Sequence, residues 1–355
     1  MENYEDMNCR RQSSRDMAPP EWPNKGRLPM KRTVALTVLL LTLLPGAVWA
    51  ADAPPPTGRI KLQRDDRQGQ LHILLDGKEA LVYCYGKDVD LPHYYPVRSP
   101  SGRLLTVQQP DSDHKHHRSV WFADEVQLNG QRKVSFYKAI LSRTDPKDPT
   151  SPLRDRIRHV KFLEDKATPT QATIKAQLLW EADLGKMPVL DEIREMRVVP
   201  LENGEYFLDL QFEVKAAYGD VTFVSNKAEY AWPYVRMNSK FSGQQGGVIA
   251  NSEGGVNEKG THDKPARWVD YSNTVDGAAE GLAMFIAAEK EPPPRWLTRE
   301  YGPFGPRRAD AQNGKPFTLK KGDSLTQRVG ILVHSGDVNA GRVQERCRQY
   351  MNGKL

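Results

Sequence analysis

Long apolar runs are nearly missing from this chain. The one that stands out, Val34 to Leu44, sits inside "MKRTVALTVLLLTLLPGAVWA" and is too short for a comfortable bilayer span. Cysteine is scarce: Cys9, Cys84 and Cys347 are the only three in 355 residues. That excludes a thiol-rich metal framework or a disulfide-dense mini-domain. No GxSxG elbow, GxGxxG after a strand, phosphate loop or HExxH occurs, which disfavours a serine hydrolase, a dinucleotide enzyme, a nucleotidase and a zincin. Charge of one sign never accumulates: the net charge is +6, with Lys and Arg scattered among Asp and Glu. No basic stripe points to nucleic acid. Helical periodicity is also rare, the best case being "VNAGRVQERCRQY" near the C-terminus, where Val338, Val343 and Cys347 can share one face.

What is present begins with a leader. Lys31 and Arg32 precede the apolar run, and Val48-Trp49-Ala50 ends on a small residue. Residues 30–50 therefore read as a cleaved signal peptide, and the protein as exported, periplasmic or extracellular. Residues 1–29 are polar and mixed in charge and fit no signal; they read as a non-native extension, with Met30 as the true start. The segment 51–57, rich in proline, reads as a stiff linker. The remainder, 58–355, has no composition break and reads as a single domain. Without the leader only Cys84 and Cys347 remain, and two buried free thiols are expected over a disulfide.

That domain reads as strands. Asp76-Gly77, Asn129-Gly130 and Asn203-Gly204 each interrupt apolar runs in the manner of hairpin turns. "YFLDLQFEV" alternates, and "ATIKAQLLW", "GLAMFIAA" and "SLTQRVGILVH" are strand-like. The expected fold class is all-β: a large antiparallel β-sandwich with few helices and a short C-terminal helix. Two stretches, "HYYPVRSPSGRLLTVQQPDSDHKHHR" and the glycine-rich "SGQQGGVIANSEGGVNEKGTHDKPARW", read as long loops, where sites tend to sit.

The first loop carries the densest chemistry. "DSDHKHHRSVWFADE" puts three of the eight histidines into four residues, followed by Arg118 and Trp121-Phe122. In an extended chain His114 and His116 face one side and His117 the other, unless the backbone kinks. His114 and His116 are then the candidates for a divalent metal, although no cofactor is expected. His116 and His117 are candidates for acid–base catalysis because imidazole titrates near neutrality. Upstream, His93, Tyr94, Tyr95 and Arg98 suit a polyhydroxylated ligand, which stacks on rings and bonds to Arg and His. Downstream, "KPARWVDYS" supplies Arg267, Trp268, Asp270 and Tyr271. On a strand Trp268 and Asp270 share a face, an indole beside a carboxylate that can partner a histidine. In "VLDEIREMRV", Glu192 and Arg194 share a face and read as members of a cross-strand ion pair.

"YYPVRSPSGRLLT", "DHKHHRSVWFA", "GGVIANSEGG", "ARWVDYS", "REYGPFG" and "ILVHSGDV" occur in that order. Together they resemble the exported bacterial PmoA-like family of unknown function, often labelled "methane oxygenase PmoA", over nearly the whole of 58–355. The resemblance implies a sandwich similar to galactose mutarotases. It implies shared polar positions at Arg98, His114, His116, His117, Arg118, Trp121, Asn251, Trp268, Asp270, Tyr271 and Tyr301. Two positions depart: relatives usually have proline where Lys115 stands and often histidine where Asp124 stands. Three functions follow as expectations. One is a carbohydrate-active enzyme doing hydrolysis, elimination or epimerisation on a small-molecule or oligosaccharide substrate. There His116 or His117 moves the proton with Asp270 as partner, and His93, Arg98, Arg118, Trp121, Asn251, Trp268, Tyr271 and Tyr301 bind the sugar. The others are a non-catalytic sugar-binding protein and a copper- or zinc-dependent oxidoreductase.

Overall fold

A computed structural model describes residues 59–110, 114–139, 155–224, 230–287, 292–308 and 316–355. The extension, leader and linker expected in 1–57 lie outside the described residues. Pro54–Leu355 forms one compact unit.

Two eight-stranded antiparallel sheets make the body. The first runs, in spatial order, β1 (Ile60–Asp65), β2 (Gln70–Leu75), β3 (Lys78–Cys84), β4 (His93–Val97), β5 (Val120–Trp121), β13 (Tyr234–Arg236), β18 (Pro303–Pro306) and β17 (Trp296–Thr298). The second runs β14 (Val248–Asn251), β15 (Trp268–Val275), β16 (Ala278–Ile286), β20 (Ser324–Ser335), β11 (Tyr206–Lys215), β10 (Met187–Pro200), β9 (Ala172–Ala182) and β8 (Arg156–Ala167). A small third sheet joins β19 (Phe317–Leu319), β12 (Val221–Phe223), β6 (Glu125–Leu128) and β7 (Lys133–Ser135). The two helices are α1 (Asn257–Thr261) and α2 (Val343–Met351).

The turns follow the sequence. Asp76-Gly77 and Asn129-Gly130 have positive φ at both residues, the backbone a tight hairpin needs and the one Asn, Asp and Gly tolerate best. Asp276-Gly277 makes the same turn between β15 and β16, a signal legible in "TVDGAAE". The glycine-rich stretch expected as a loop is partly regular, because β14 and α1 lie within it. "HYYPV" is likewise a strand, with His93 and Tyr94 buried in the first sheet.

Strand alternation divides the second sheet into two faces. Leu208, Leu210, Val269, Tyr271, Leu282 and Met284 point into the main core between the sheets. Phe207, Trp268, Phe285 and Leu332 point the other way and are covered by Val343, Cys347 and Tyr350 of α2. Aromatic contacts lock the sheets together: Phe122 stacks on Phe212 with ring centroids 4.3 Å apart. On β10, Arg194 Nε donates to Glu192 Oε1 at 2.7 Å, and Trp180 Nε1 donates to Glu192 Oε2 at 2.6 Å. The pair is therefore not the expected cross-strand one: both partners are buried and stand two residues apart on a single strand.

Cys84 and Cys347 are both free and buried. Burial pushes their thiols up to about 11 and about 12. A thiol reagent at pH 8 is expected to leave both untouched in the folded protein and to titrate both once denaturant opens the core. Rapid labelling under native conditions would show that one of them is accessible.

Candidate active site

The histidine stretch is not extended. The His117 amide donates to the His114 carbonyl at 2.8 Å, closing a tight turn over residues 114–117. That turn is the kink that overrides strand alternation. His117 therefore joins His114 and His116 instead of facing away from them. The imidazole centroids lie 4.7 Å apart for His114 and His117, 4.6 Å for His116 and His117, and 5.9 Å for His114 and His116.

The three rings open into a cleft of about 220 Å³, lined also by Tyr137, Lys138, Tyr230, Tyr234, Leu297, Arg299, Tyr301 and Pro303. Each wall has a structural source. Tyr137 follows β7, Tyr234 comes from β13, and Arg299 and Tyr301 come from the turn joining β17 to β18. Tyr301 stacks on His114 at 5.2 Å. The Tyr137 hydroxyl and His117 Nε2 are 3.0 Å apart and share a hydrogen bond. Beneath the cleft, Trp121 stacks on Tyr234 at 4.8 Å and 12°.

Burial sets the protonation of the cluster. It pushes His116 down to about 4, helped by Lys138, His114 and Arg118. It pushes His117 down to about 2, helped by His116, Arg236, His114 and Arg118. At neutral pH both rings are uncharged; His116 is the stronger base of the two, while His117, pushed lower, serves as a neutral hydrogen-bond partner. The Nδ1 atoms of both are buried and without a hydrogen-bond partner, so a ligand meets His116 through its Nε2 edge.

Several expected site residues lie elsewhere. Asp270 and Trp268 do share a face of β15, but it is the face turned away from the histidines. Tyr271, between them, points inward. Asp270 is fully buried, accepting from His334 Nε2 at 2.8 Å and Ser272 Oγ at 2.9 Å. Acid–base partnership with His116 or His117 is excluded by this placement. Trp268 lies under α2, its Nε1 donating to Gln344 Oε1, and offers no stacking face to the cleft. Trp121 is floor, with no exposed surface for a sugar. Asn251 folds onto its own turn, accepting from the Glu253 and Gly255 amides. Arg98 is spent on Glu79 and the Gly102 carbonyl. His93, pushed down to about 4 by burial, is held between the Leu91 carbonyl and the Gln108 side-chain amide. Tyr271 acts from behind the wall, donating to the Arg299 carbonyl. Arg118 is buried behind the turn and reaches the Lys115 carbonyl at 3.5 Å.

Of the expected residues, His114, His116, His117 and Tyr301 line the cleft. Tyr137, Lys138, Tyr230, Tyr234 and Arg299 were not singled out from the sequence, although "VSFYKA" and "EYAWPYVR" carry the aromatic density that marks four of them. Nothing in "ILVHSGDV" marks His334 as the partner of Asp270. Among the described residues no group of three or more His, Cys, Asp or Glu side chains is placed to hold a metal. Asp124, standing where relatives often have histidine, accepts from Trp232 Nε1 and its neighbour's amide. Burial pushes its carboxyl up to about 7.

Fold and cleft together define an antiparallel β protein of two large sheets and one small one, with a histidine- and tyrosine-lined pocket. The chain belongs to a family of unknown function, DUF6807, whose profile matches residues 70–348. That match carries no oxygenase label. No curated protein matches the chain. Among solved structures it is similar to a family GH36 alpha-galactosidase from Geobacillus stearothermophilus, at 10% identity and a TM-score of 0.40, covering 79% of this chain and 42% of that one. A polysaccharide lyase matches at 10% identity and a TM-score of 0.33, over 81% and 34%. A galactose mutarotase-related enzyme from Lactobacillus acidophilus matches at 8% identity and a TM-score of 0.32, over 78% and 97%. The chain thus spans about two fifths of the galactosidase. No helix among the described residues is long and apolar enough to cross a membrane.

Proposed function

We propose that the cleft is the active site of an exported carbohydrate-active enzyme that moves a proton with a neutral histidine and a tyrosine. The hydrogen bond between His117 Nε2 and the Tyr137 hydroxyl, beside the reachable edge of His116, carries this reading. His116 is the base that meets the substrate. Tyr137, its hydroxyl held by His117 Nε2, gives its proton to the departing or re-forming centre; the phenolate left behind is reprotonated from solvent as His116 releases the proton it took. The volume suits one sugar ring, with Tyr301 and Tyr230 as apolar walls. The polar lining is imidazoles, phenols, Lys138 and Arg299, with no carboxylate among the described residues, which favours proton transfer at carbon, as in elimination or epimerisation, over hydrolysis by paired carboxylates.

The test is a screen of oligosaccharides read by mass spectrometry, followed by Tyr137→Phe on whichever substrate turns over. Loss of the phenol proton is expected to lower kcat by about 10²-fold with KM changed little. A Phe variant as fast as the parent would remove Tyr137 from the chemistry. Ligand affinity without any product after long incubation would leave a sugar-binding protein instead.

A further inference from the structure

Arg236 is buried, 7% exposed, and its Nε and Nη1 have no hydrogen-bond partner. It lies two residues along β13 from Tyr234, so strand alternation puts both on one face. Its guanidinium sits 4.6 Å over the ring of Tyr301, the cleft wall. The groups that face it are the phenols of Tyr301, Tyr271 and Tyr137 and the His117 imidazole, and no carboxylate among the described residues pairs with it. A cation removed from water without a counter-ion is costly, and a ring face offsets only part of that. Arg194, buried still more deeply, shows the usual solution: it has Glu192.

The same sign of charge recurs around the cleft. Lys138 and Arg299 line it, and Arg118 is packed behind the histidine turn. Glu258 pairs with Arg299 at 2.8 Å but belongs to α1 and is not part of the lining. The described lining has no acid of its own. Neutral sugars need no such field, whereas a ligand that brings a negative charge supplies what Arg236 lacks.

We propose that the ligand of this cleft is a sugar bearing an anionic group, a carboxylate or sulfate that sits against Tyr301 within the field of Arg236, Lys138 and Arg299. This rests on the cleft being the sugar site proposed above, and it adds the class of sugar.

The probes are methyl β-glucuronide, methyl β-glucoside and methyl β-glucoside 6-sulfate, titrated calorimetrically into the full chain at low and at physiological salt. At least one charged probe is expected to bind about tenfold more tightly than the glucoside, with the advantage shrinking as salt rises. A lead for the glucuronide identifies an acidic sugar as the source, and a lead for the 6-sulfate a sulfated one. Arg236→Gln should remove about tenfold of that advantage. Lys138→Ala, at an exposed position where misfolding is not a concern, should remove several-fold of it and flatten the salt dependence. Glucoside binding as tight as both charged probes, or a charge preference untouched in both variants, would overturn the proposal. Turnover of neutral oligosaccharides with no charge preference removes this inference and leaves the acid–base reading standing. Tight binding of a charged probe with no turnover of any acidic oligosaccharide does the reverse.

Discussion

Replacing Asp270 with alanine is expected to cost about 3–5 kcal/mol of folding stability, the range for leaving one member of a buried ion pair unpartnered. Chemistry at the cleft should be unchanged in the molecules that stay folded. Asp270 and His334 are both fully buried and 2.8 Å apart. The pocket around His334 is built for that ring. A methyl group on Gly341 would lie 2.2 Å from Nδ1, and one on Gly281 would lie 2.7 Å from Nε2. Both positions need glycine because the imidazole occupies the space a side chain would take. Burial alone would lower the His334 pKa, but the charge and hydrogen bond of Asp270 raise it above its ordinary value.

The pH dependence follows from that direction. A group whose pKa is raised on folding stabilises fully below its unfolded value, about 6.5 for histidine, and loses that contribution as pH climbs through the folded value. The parent should therefore lose stability on the alkaline side of about 6.5, and Asp270→Ala should lose this slope along with the pair. Urea melts of parent and variant at pH 6 and pH 9 read both effects. A variant that melts with the parent but no longer turns substrate over would return Asp270 to the chemistry.

The sequence revealed the strands well and the site only in part. Hairpins were legible because Asp-Gly and Asn-Gly demand one backbone geometry wherever they fall, and Asp276-Gly277 was open to the same reasoning. The histidine cluster was legible because its members are neighbours in the chain. What period-2 reasoning decided correctly was that Trp268 and Asp270 share a face. What it could not decide was which face the core would claim, since both sides of the second sheet are covered, one by the first sheet and the other by α2. Tyr234, Tyr301 and Tyr137 reach the cleft from segments up to 164 residues apart. Only the strand order β5, β13, β18 brings Tyr234 and Tyr301 beside the histidines. The resemblance marks shared polar positions without separating those that touch the cleft from those that hold turns, such as Asn251, or strands, such as Arg98.

Substituting His116 with glutamine should lower kcat/KM by about 10²–10⁴-fold, the usual cost of removing a positioned general base. The fold should survive, because the ring is 8% exposed at the cleft and its Nδ1 makes no hydrogen bond to lose. The pH profile separates catalysis from mere support. With His116 pushed down to about 4, the imidazole is an unprotonated base from about pH 5 upward, and kcat/KM should be flat across neutrality on its account. Below about 4 it is protonated and base catalysis is lost, so the parent rate should fall close to tenfold per pH unit. An imidazolium acting as the acid would give the opposite limb, with rates rising as pH falls toward 4. His116→Gln should have no limb in that range at all, since nothing replaces the titrating group. Fluorescence of the buried tryptophans, followed over the same pH series, shows that the protein is still folded where the rate is read. A glutamine variant that keeps the parent's rate, or that keeps its acid limb at a reduced rate, would show that the proton is taken by another group in the cleft.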